Sequence, residues 1–212
     1  MAVPIPIPVY HLTHIDNLTS IIQSGGCLSF NQMQNQGIGH VSVAYDNIQD
    51  RRARTLVPCG PGGCLHDHVP FFFAPRPPML YAIHGGSVEG YEQGQIPLIY
   101  LVTKAQTVNN SGSAWVFTDG HATMAFTEFF DDLKNLDKID WEVMESQYWH
   151  DTRTLPDRKR KRQAEFLIKD FCPWVLFSKI GVINPRIESR VKMMLENSMH
   201  QPIVQIHRKW YY

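Results

Sequence analysis

Short apolar runs bounded by turn-forming residues constrain the fold of this chain more than any other feature. Runs of this kind, rich in aromatic and β-branched side chains, predict strands. One strand is predicted to begin at Glu165. The other predicted strands are VYHLTH (9–14), PFFFAP (70–75), PMLYAI (78–83), PLIYLVT (97–103), AWVFTD (114–119), PWVLFSKIGVI (173–183) and PIVQIHRKW (202–210).

Apolar residues spaced three and four apart predict helices among these strands. Asp16 is a candidate cap for a helix that carries Leu18, Ile21 and Ile22 and ends at glycines 25 and 26. Strands and helices are grouped rather than strictly alternating, which favours an α+β fold over a doubly wound sheet. The length fits one domain, 1–212. Further helices are predicted over 46–54, 127–139, 141–149 and 186–199, and loops over 31–40 and 59–68.

The charged residues exclude a strongly basic surface. Twenty Lys and Arg side chains balance twenty Asp and Glu side chains, so any binding to nucleic acid must rest on a local patch. The densest patch is RKRKR, 158–162, which follows Tyr148, Trp149, His150 and Arg153. Aromatic residues interleaved with cations suit single-stranded nucleic acid, because bases stack while phosphates pair with the cations. A solvated loop is the alternative.

Glu165 follows the basic run and opens an apolar strand. Such a carboxylate either pairs with a nearby arginine or stabilises a cationic sugar centre. Three arginines, Arg51, Arg52 and Arg54, are candidates for binding phosphate or carboxylate, although arginines in a short helix are usually surface residues.

Two histidine-bearing segments have a structural and a chemical interpretation. His11 and Thr13 fall on the same face of a strand, where they either hold a ribose or an amide or are a buried histidine and a helix cap. The loop 59–68 carries ligand types suited to zinc, Cys59, Cys64, His66 and His68, but the spacing matches no known ligand pattern. A turn whose side chains bond the backbone is therefore favoured over a metal site.

Taken in order, seven segments resemble one protein family from about residue 8 to the C-terminus. This family is the DarT toxins, the DNA-specific ADP-ribosyltransferases of bacterial toxin–antitoxin pairs. The resemblance implies an ADP-ribosyltransferase fold, a split mixed sheet with helices around an NAD cleft, and no metal. It implies transfer of ADP-ribose from NAD to a thymidine base nitrogen of single-stranded DNA, which releases nicotinamide and blocks replication. The segments are YHLTHIDNL, IQDRRAR, GGCLHDHVPFFFAPRPPMLYAI, VFTDGHA, DWEVMESQYW, KRQAEFL and RKWYY.

The same resemblance assigns roles to individual residues. Arg52 and Glu165 are the implied catalytic residues, with Arg51 as the alternative register for the arginine. The segment 30–54 is expected to close over NAD, and 119–162 to read the DNA strand. The implied NAD contacts are His11, Leu12, Thr13, Ser20, Leu28 and Arg52, and the implied DNA contacts are His121, Tyr148, Trp149, Arg153, Arg158 and Arg160.

Expected partners are single-stranded DNA and a macrodomain ADP-ribosyl-hydrolase antitoxin, and the expected form is a monomer. No apolar run approaches the roughly 20 residues that cross a bilayer. Four cysteines and the absence of a secretory leader favour the cytoplasm. Two alternatives remain: an ADP-ribosyltransferase that acts on RNA or protein, and a non-catalytic module that binds single-stranded nucleic acid.

Overall fold

A computed structural model describes residues 3–212, apart from the side chain of Asp46. The strands are β1 (Pro8–His14), β2 (Gly26–Leu28), β3 (His68–Phe72), β4 (Leu98–Lys104), β5 (Trp115–Thr118), β6 (Phe129–Phe130), β7 (Glu165–Lys169), β8 (Phe171–Pro173), β9 (Lys179–Val182) and β10 (Ile203–Ile206). The α-helices are α1 (Leu18–Gln23), α2 (Phe30–Asn35), α3 (Asp46–Arg54), α4 (Pro78–His84), α5 (Ala105–Asn110), α6 (Trp141–Glu145), α7 (Arg158–Lys161) and α8 (Pro185–Leu195). Short 3-10 helices cover Ile15–Asn17, Leu65–Asp67, Leu133–Lys138, Trp174–Leu176 and Arg208–Trp210.

Eight of the strands form one mixed sheet, in the order β10-β9-β4-β1-β3-β7-β5-β6. The β9 and β10 strands run parallel, and the other neighbours run antiparallel. The β2 and β8 strands form a separate pair. This arrangement confirms the predicted α+β class. Among the helices of the described part of the chain, none is long and apolar enough to cross a membrane.

The sheet is divided between β1 and β3. The β1 strand pairs with β4 along its whole length, but it meets β3 at the single pair Tyr10↔Phe72 among the described residues. Beyond that pair, Pro70 has no N–H to continue a backbone ladder. The His11 side chain bonds there instead, with Nδ1 2.8 Å from the Pro70 carbonyl oxygen. The two halves of the sheet therefore separate on the His11 side of Tyr10.

Apolar packing covers both faces of the sheet. On one face the fully buried rings are Phe71, Phe117, Phe166 and Phe177. On the other face Tyr100 packs with residues of α4 and with the C-terminal aromatics. The segment 98–103 of β4 is buried at every position, as expected for a strand covered on both faces.

The prediction that PMLYAI forms a strand is wrong, because this segment is helix α4. Proline at the first helical position is preorganised for a helix, and Leu80 and Ile83 recur with the spacing of a buried helical face. The prediction of a loop over 31–40 is also wrong in its first half. There α2 begins after Ser29, whose side chain accepts a hydrogen bond from the backbone N–H of Gln32.

The helix predicted over 127–139 is replaced by two shorter elements. Phe129 and Phe130 form the edge strand β6, because their backbone pairs with β5. A 3-10 helix then follows Asp132, whose side chain caps it. The helix predicted over 141–149 ends at Glu145.

The cap predicted near the first helix is also different. The His14 ring, rather than the Asp16 side chain, accepts a backbone hydrogen bond, from the N–H of Asp16. The 3-10 turn Ile15–Asn17 therefore precedes α1.

Candidate active site

A cleft of about 530 Å³ lies along the division in the sheet. Strands β1, β3 and β7, helix α3 and the segment 40–45 contribute to its walls. It brings together these predicted site residues: His11, Leu12, Thr13, Ser20, Leu28, Arg52, His121 and Glu165. Residues far apart in the sequence therefore share one cleft, as the resemblance implied.

A buried ion pair lies in this cleft. The Arg52 Nη1 atom is 2.8 Å from Oε2 of Glu165, and the Glu165 side chain is almost fully buried. The backbone N–H of Ala122 also donates to Oε1 of Glu165, at 3.3 Å. A buried carboxylate needs such partners because removing it from water is costly. Arg52, rather than Arg51, therefore faces Glu165.

The backbone around Glu165 fixes where the carboxylate points. Glu165 on β7 pairs with Phe72 on β3, which in turn pairs with Tyr10 on β1. The carboxylate therefore lies beside the point where the sheet divides. The Glu165 N–H donates to Oγ1 of Thr118, at 3.0 Å. The Nη2 atom of Arg52 is buried without a hydrogen-bond partner among the described residues. This donor can therefore bind an acceptor on a ligand.

His11 presents a neutral ring to the cleft. Its Nδ1–H is directed at the Pro70 carbonyl, which leaves Nε2 as a hydrogen-bond acceptor. Burial lowers the pKa of His11 below its usual value, and the bond to Pro70 opposes this shift in part. The ring therefore carries no charge at neutral pH.

Asn17 connects two walls of the cleft. Its Nδ2 atom donates to Oγ1 of Thr13 at 3.1 Å and to the Val41 carbonyl at 3.0 Å. Its Oδ1 atom accepts from the Val41 N–H at 2.8 Å. The segment around Val41 is thereby held against β1. The role of Asn17 was missed, because a lone asparagine after a strand has no distinctive sequence signal.

Ser20 and Leu28 lie in the wall beside Thr13. The Ser20 hydroxyl donates to the Asn17 carbonyl at 2.9 Å, as a local bond of the first turn of α1. Leu28 is the last residue of β2 and is partly buried. Both residues line the cleft, and their predicted contact with NAD stays a prediction.

His121 is the predicted DNA contact that reaches the cleft. Its Nδ1 atom lies 3.0 Å from Oγ1 of Thr123. Burial lowers the pKa of His121, with smaller effects from Glu165, which raises it, and from Arg52 and Arg51, which lower it. His121 is thus a neutral side chain close to the ion pair.

Arg160, a predicted contact with DNA phosphate, does not face solvent. Its guanidinium is buried and bonds both oxygens of Asp119, at 3.0 and 3.1 Å, and Asp157 at 2.8 Å. It also lies so close to Gly120 that a Cβ atom there would be 2.2 Å from Nη1. Arg160 therefore anchors the segment that carries His121.

Arg162 is also buried, and it donates to backbone carbonyls of Val143, Met144 and Pro75. Burial lowers the pKa of Arg162 to about 10. Lys161 pairs with Asp140 at 2.9 Å. Most of the basic run therefore ties the segment 119–162 together internally, and the bond from Arg162 to Pro75 joins this segment to the chain before α4.

The predicted aromatic contacts with DNA lie apart from one another. The Trp149 side chain is 3% exposed and donates from Nε1 to the Tyr212 hydroxyl, so its ring is not exposed for the predicted stacking on DNA bases. Tyr148 is 73% exposed, and Arg153 is also exposed. Arg158 donates to the Tyr148 carbonyl at 2.6 Å and to the Ser146 hydroxyl at 2.7 Å. None of these four residues lines the cleft in the described structure.

The loop 59–68 is held together by Asp67. This carboxylate accepts from the Cys64 N–H at 2.9 Å and from Asn31 at 2.7 Å. Burial acts to raise the pKa of Asp67, but these bonds and Lys169 outweigh it and lower the pKa to about 2. Within residues 3–212, no group of three or more His, Cys, Asp or Glu side chains is arranged to hold a metal.

Comparisons with known proteins agree on one family. The family model described as ssDNA thymidine ADP-ribosyltransferase, DarT, matches residues 10–212. A DNA ADP-ribosyl transferase of Thermus aquaticus is 43% identical over 214 residues, which cover 100% of this chain and 92% of the relative. The DarT of Thermus sp. 2.9 in complex with ADP-ribosylated ssDNA superposes with a TM-score of 0.94 at 42% identity, over 100% of this chain and 99% of the other. The same DarT in complex with NAD+ gives a TM-score of 0.90 at 40% identity, over 100% of both chains.

A fusion protein extends this comparison. The DNA ADP-ribosyl transferase-DNA ADP-ribosyl glycohydrolase fusion protein of Thermosipho africanus is 28% identical over 193 residues. The match covers 89% of this chain and 46% of the fusion protein. A transferase similar to this chain is therefore joined to a glycohydrolase in that organism.

We predict that the protein loses stability as the pH falls below about 6.5, the usual pKa of histidine. The pKa values of His11 and His121 are lowered by folding, so the unfolded chain binds more protons below that pH. Urea titrations at pH 7.5 and 5.5 measure the loss. The loss of unfolding free energy between these two pH values should be smaller in His11→Asn than in the wild type. The control is His150→Asn, at an exposed histidine, and its loss should equal that of the wild type. An unchanged pH dependence in His11→Asn would contradict the assignment.

Proposed function

The chain belongs to the DarT family of ssDNA thymidine ADP-ribosyltransferases, and we infer from this that it transfers ADP-ribose from NAD to a thymidine base in single-stranded DNA. The observation that carries this inference is the Arg52–Glu165 pair in a cleft shared with His11 and Thr13. NAD supplies the ADP-ribosyl group and leaves nicotinamide. The enzyme is accordingly an NAD-dependent DNA ADP-ribosyltransferase.

The reaction exchanges one bond to the ribose carbon for another. The bond from this carbon to the nicotinamide nitrogen breaks, and nicotinamide leaves with the electron pair. A thymine ring nitrogen forms the new bond and gives up its proton to solvent water. Positive charge develops on the sugar during this exchange, so a carboxylate nearby lowers the barrier.

Glu165 is the carboxylate suited to this task. It is buried, which strengthens its interaction with a cationic sugar because little water screens it. Strand β7 holds its backbone, and the Ala122 N–H and Arg52 hold its two oxygens. We propose that Glu165 faces the reacting ribose and bonds one of its hydroxyls.

The two terminal nitrogens of Arg52 are proposed to have different roles. Its Nη1 holds Glu165, and its unpartnered Nη2 is available to an oxygen of the thymine as the ring loses its proton. A guanidinium remains protonated in proteins, so it stabilises the negative charge rather than accepting the proton. The family resemblance likewise places an essential arginine here.

The wall formed by β1 is proposed to hold the nicotinamide end of NAD. His11, Leu12 and Thr13 offer an imidazole nitrogen, a backbone and a hydroxyl at the place where the sheet divides. Ser20 and Leu28 line the same cleft. The segment 40–45, held by Asn17, covers the site from the other side.

The single-stranded DNA that accepts ADP-ribose is proposed to bind along the segment 119–162. His121 lies closest to the ion pair among the predicted DNA contacts, because it alone lines the cleft in the described structure. Tyr148 and Arg153 are exposed outside the cleft, where they are free to contact bases or phosphates further along the strand.

The biological role follows from the family. We propose that the protein is the toxin of a pair whose antitoxin is a macrodomain hydrolase that removes ADP-ribose from DNA. The fused transferase and glycohydrolase of Thermosipho africanus support this pairing. Its substrates, NAD and single-stranded DNA, are available in the cytoplasm, where modified thymidines would block replication. One domain spanning 1–212 would carry the whole transferase activity.

We predict that NAD and thymidine-containing single-stranded DNA give an oligonucleotide whose mass increases by one ADP-ribose. Matched oligonucleotides without thymidine should gain no mass, because the thymine nitrogen is the nucleophile. Matched RNA should also remain unmodified. Mass spectrometry distinguishes these outcomes, and modified RNA with unmodified DNA would replace the proposed acceptor.

We predict that Arg52→Ala and Glu165→Ala each abolish transfer, because each removes one half of the buried pair. The loss should exceed about a hundredfold, the effect of removing one transition-state contact in other enzymes. Glu196→Ala, at an exposed carboxylate outside the cleft, is the matched control. Retained activity in Glu165→Ala would rule out the proposed role of the carboxylate.

A further inference from the structure

The run Arg158–Arg162 contains one cation that differs from its neighbours. The side chains of Arg158, Arg160, Lys161 and Arg162 all bond acceptors within the protein. The Lys159 side chain is exposed, lines the cleft and has no acceptor among the described residues. Helical spacing explains its direction, because Gln163, four residues further on, lines the same cleft.

A second exposed cation, on helix α3, lines the same cleft. Arg51 precedes the residue that bonds Glu165, and successive helical side chains point in different directions. Arg51 therefore stays exposed at the cleft, without an acceptor among the described residues. The charge of Arg51 contributes to the lowered pKa of His121, as expected for a cation near that ring.

The charges of the side chains that line the cleft favour the binding of an anion by these two cations. Among the described residues that line it, Glu165 is the only carboxylate, and Arg52 already pairs with it. The positive charges of Arg51 and Lys159 are thus uncompensated. They lie at the mouth, where solvent reaches them, rather than beside the buried pair.

We propose that Arg51 and Lys159 form a phosphate-binding site at the mouth of the cleft. This inference rests on the proposed function and adds to it a binding role for two residues. Both substrates carry phosphate oxyanions: the acceptor strand has phosphodiesters, and NAD has a pyrophosphate. Lys159 is exposed on α7, within the segment 119–162 that is proposed to contact the DNA, and this favours a phosphodiester next to the target thymidine.

The test uses Arg51→Gln, Lys159→Gln and the double variant, with Lys134→Gln as the control. Lys134 is 90% exposed and outside the cleft, so its variant makes the same change in net charge. Binding of a fluorescent thymidine-containing single strand is measured by anisotropy over a range of salt concentrations. The Michaelis constants for NAD and for the oligonucleotide are measured separately, and urea titration verifies that each variant is folded.

Each single variant should reduce the slope of log affinity against log salt, and the double variant should reduce it by about 0.7, the value for one phosphate contact on a single strand. At 0.1 M salt this corresponds to roughly fivefold weaker binding. The Michaelis constant for the oligonucleotide should rise and that for NAD should stay constant. An uncharged methylphosphonate beside the target thymidine should weaken wild-type binding but leave the double variant unaffected.

Three other outcomes of these measurements would reassign the phosphate site, overturn it or separate it from the proposed function. A rise confined to the Michaelis constant for NAD supports the phosphate site but assigns it to the pyrophosphate. Variants that match Lys134→Gln in every measurement overturn the proposal. If wild-type protein binds the strand with the expected salt dependence but transfers nothing, the proposed function fails while the phosphate site stands.

Discussion

The early end of pairing between β1 and β3 is the constraint on which the rest of the site depends. One residue pair, Tyr10↔Phe72, joins these strands among the described residues, and Pro70 offers no N–H to continue the ladder. The His11 ring bonds the carbonyl of Pro70 instead, so a side chain spans the gap between the two halves, and this bond fixes the tautomer of the ring. A continuous sheet would leave no cleft beside Glu165.

The division of the sheet also explains why the ion pair is both buried and accessible. Glu165 on β7 is two strands from β1 in the register Tyr10, Phe72, Glu165, so its side chain lies where the sheet opens. Arg52 reaches it from α3, and Ala122 reaches it from the segment that Arg160 anchors. Three separate parts of the chain thus converge on one carboxylate.

Much of this arrangement could be predicted from sequence, but for different reasons at different residues. Short apolar runs predicted the central strands, and the family resemblance identified Glu165 and Arg52. Residues 78–83 were mistaken for a strand because a short apolar run has no clear period, and the proline at its start was the stronger signal. The basic run was predicted to face DNA, yet Arg160 and Arg162 are buried. Their acceptors, Asp119 and the carbonyls of 143 and 144, become neighbours only when the chain folds.

The central claim is that Arg52 and Glu165 act as one unit on the reacting sugar and base. A double-mutant cycle on the rate of ADP-ribose transfer, with Arg52→Lys, Glu165→Gln and the combined variant, tests this claim directly. When two residues act as a unit, the effects of their substitutions on the activation free energy do not add. The combined variant should therefore be no slower than the slower single variant. Losses that multiply in the combined variant would show that the two side chains act independently and would contradict this account.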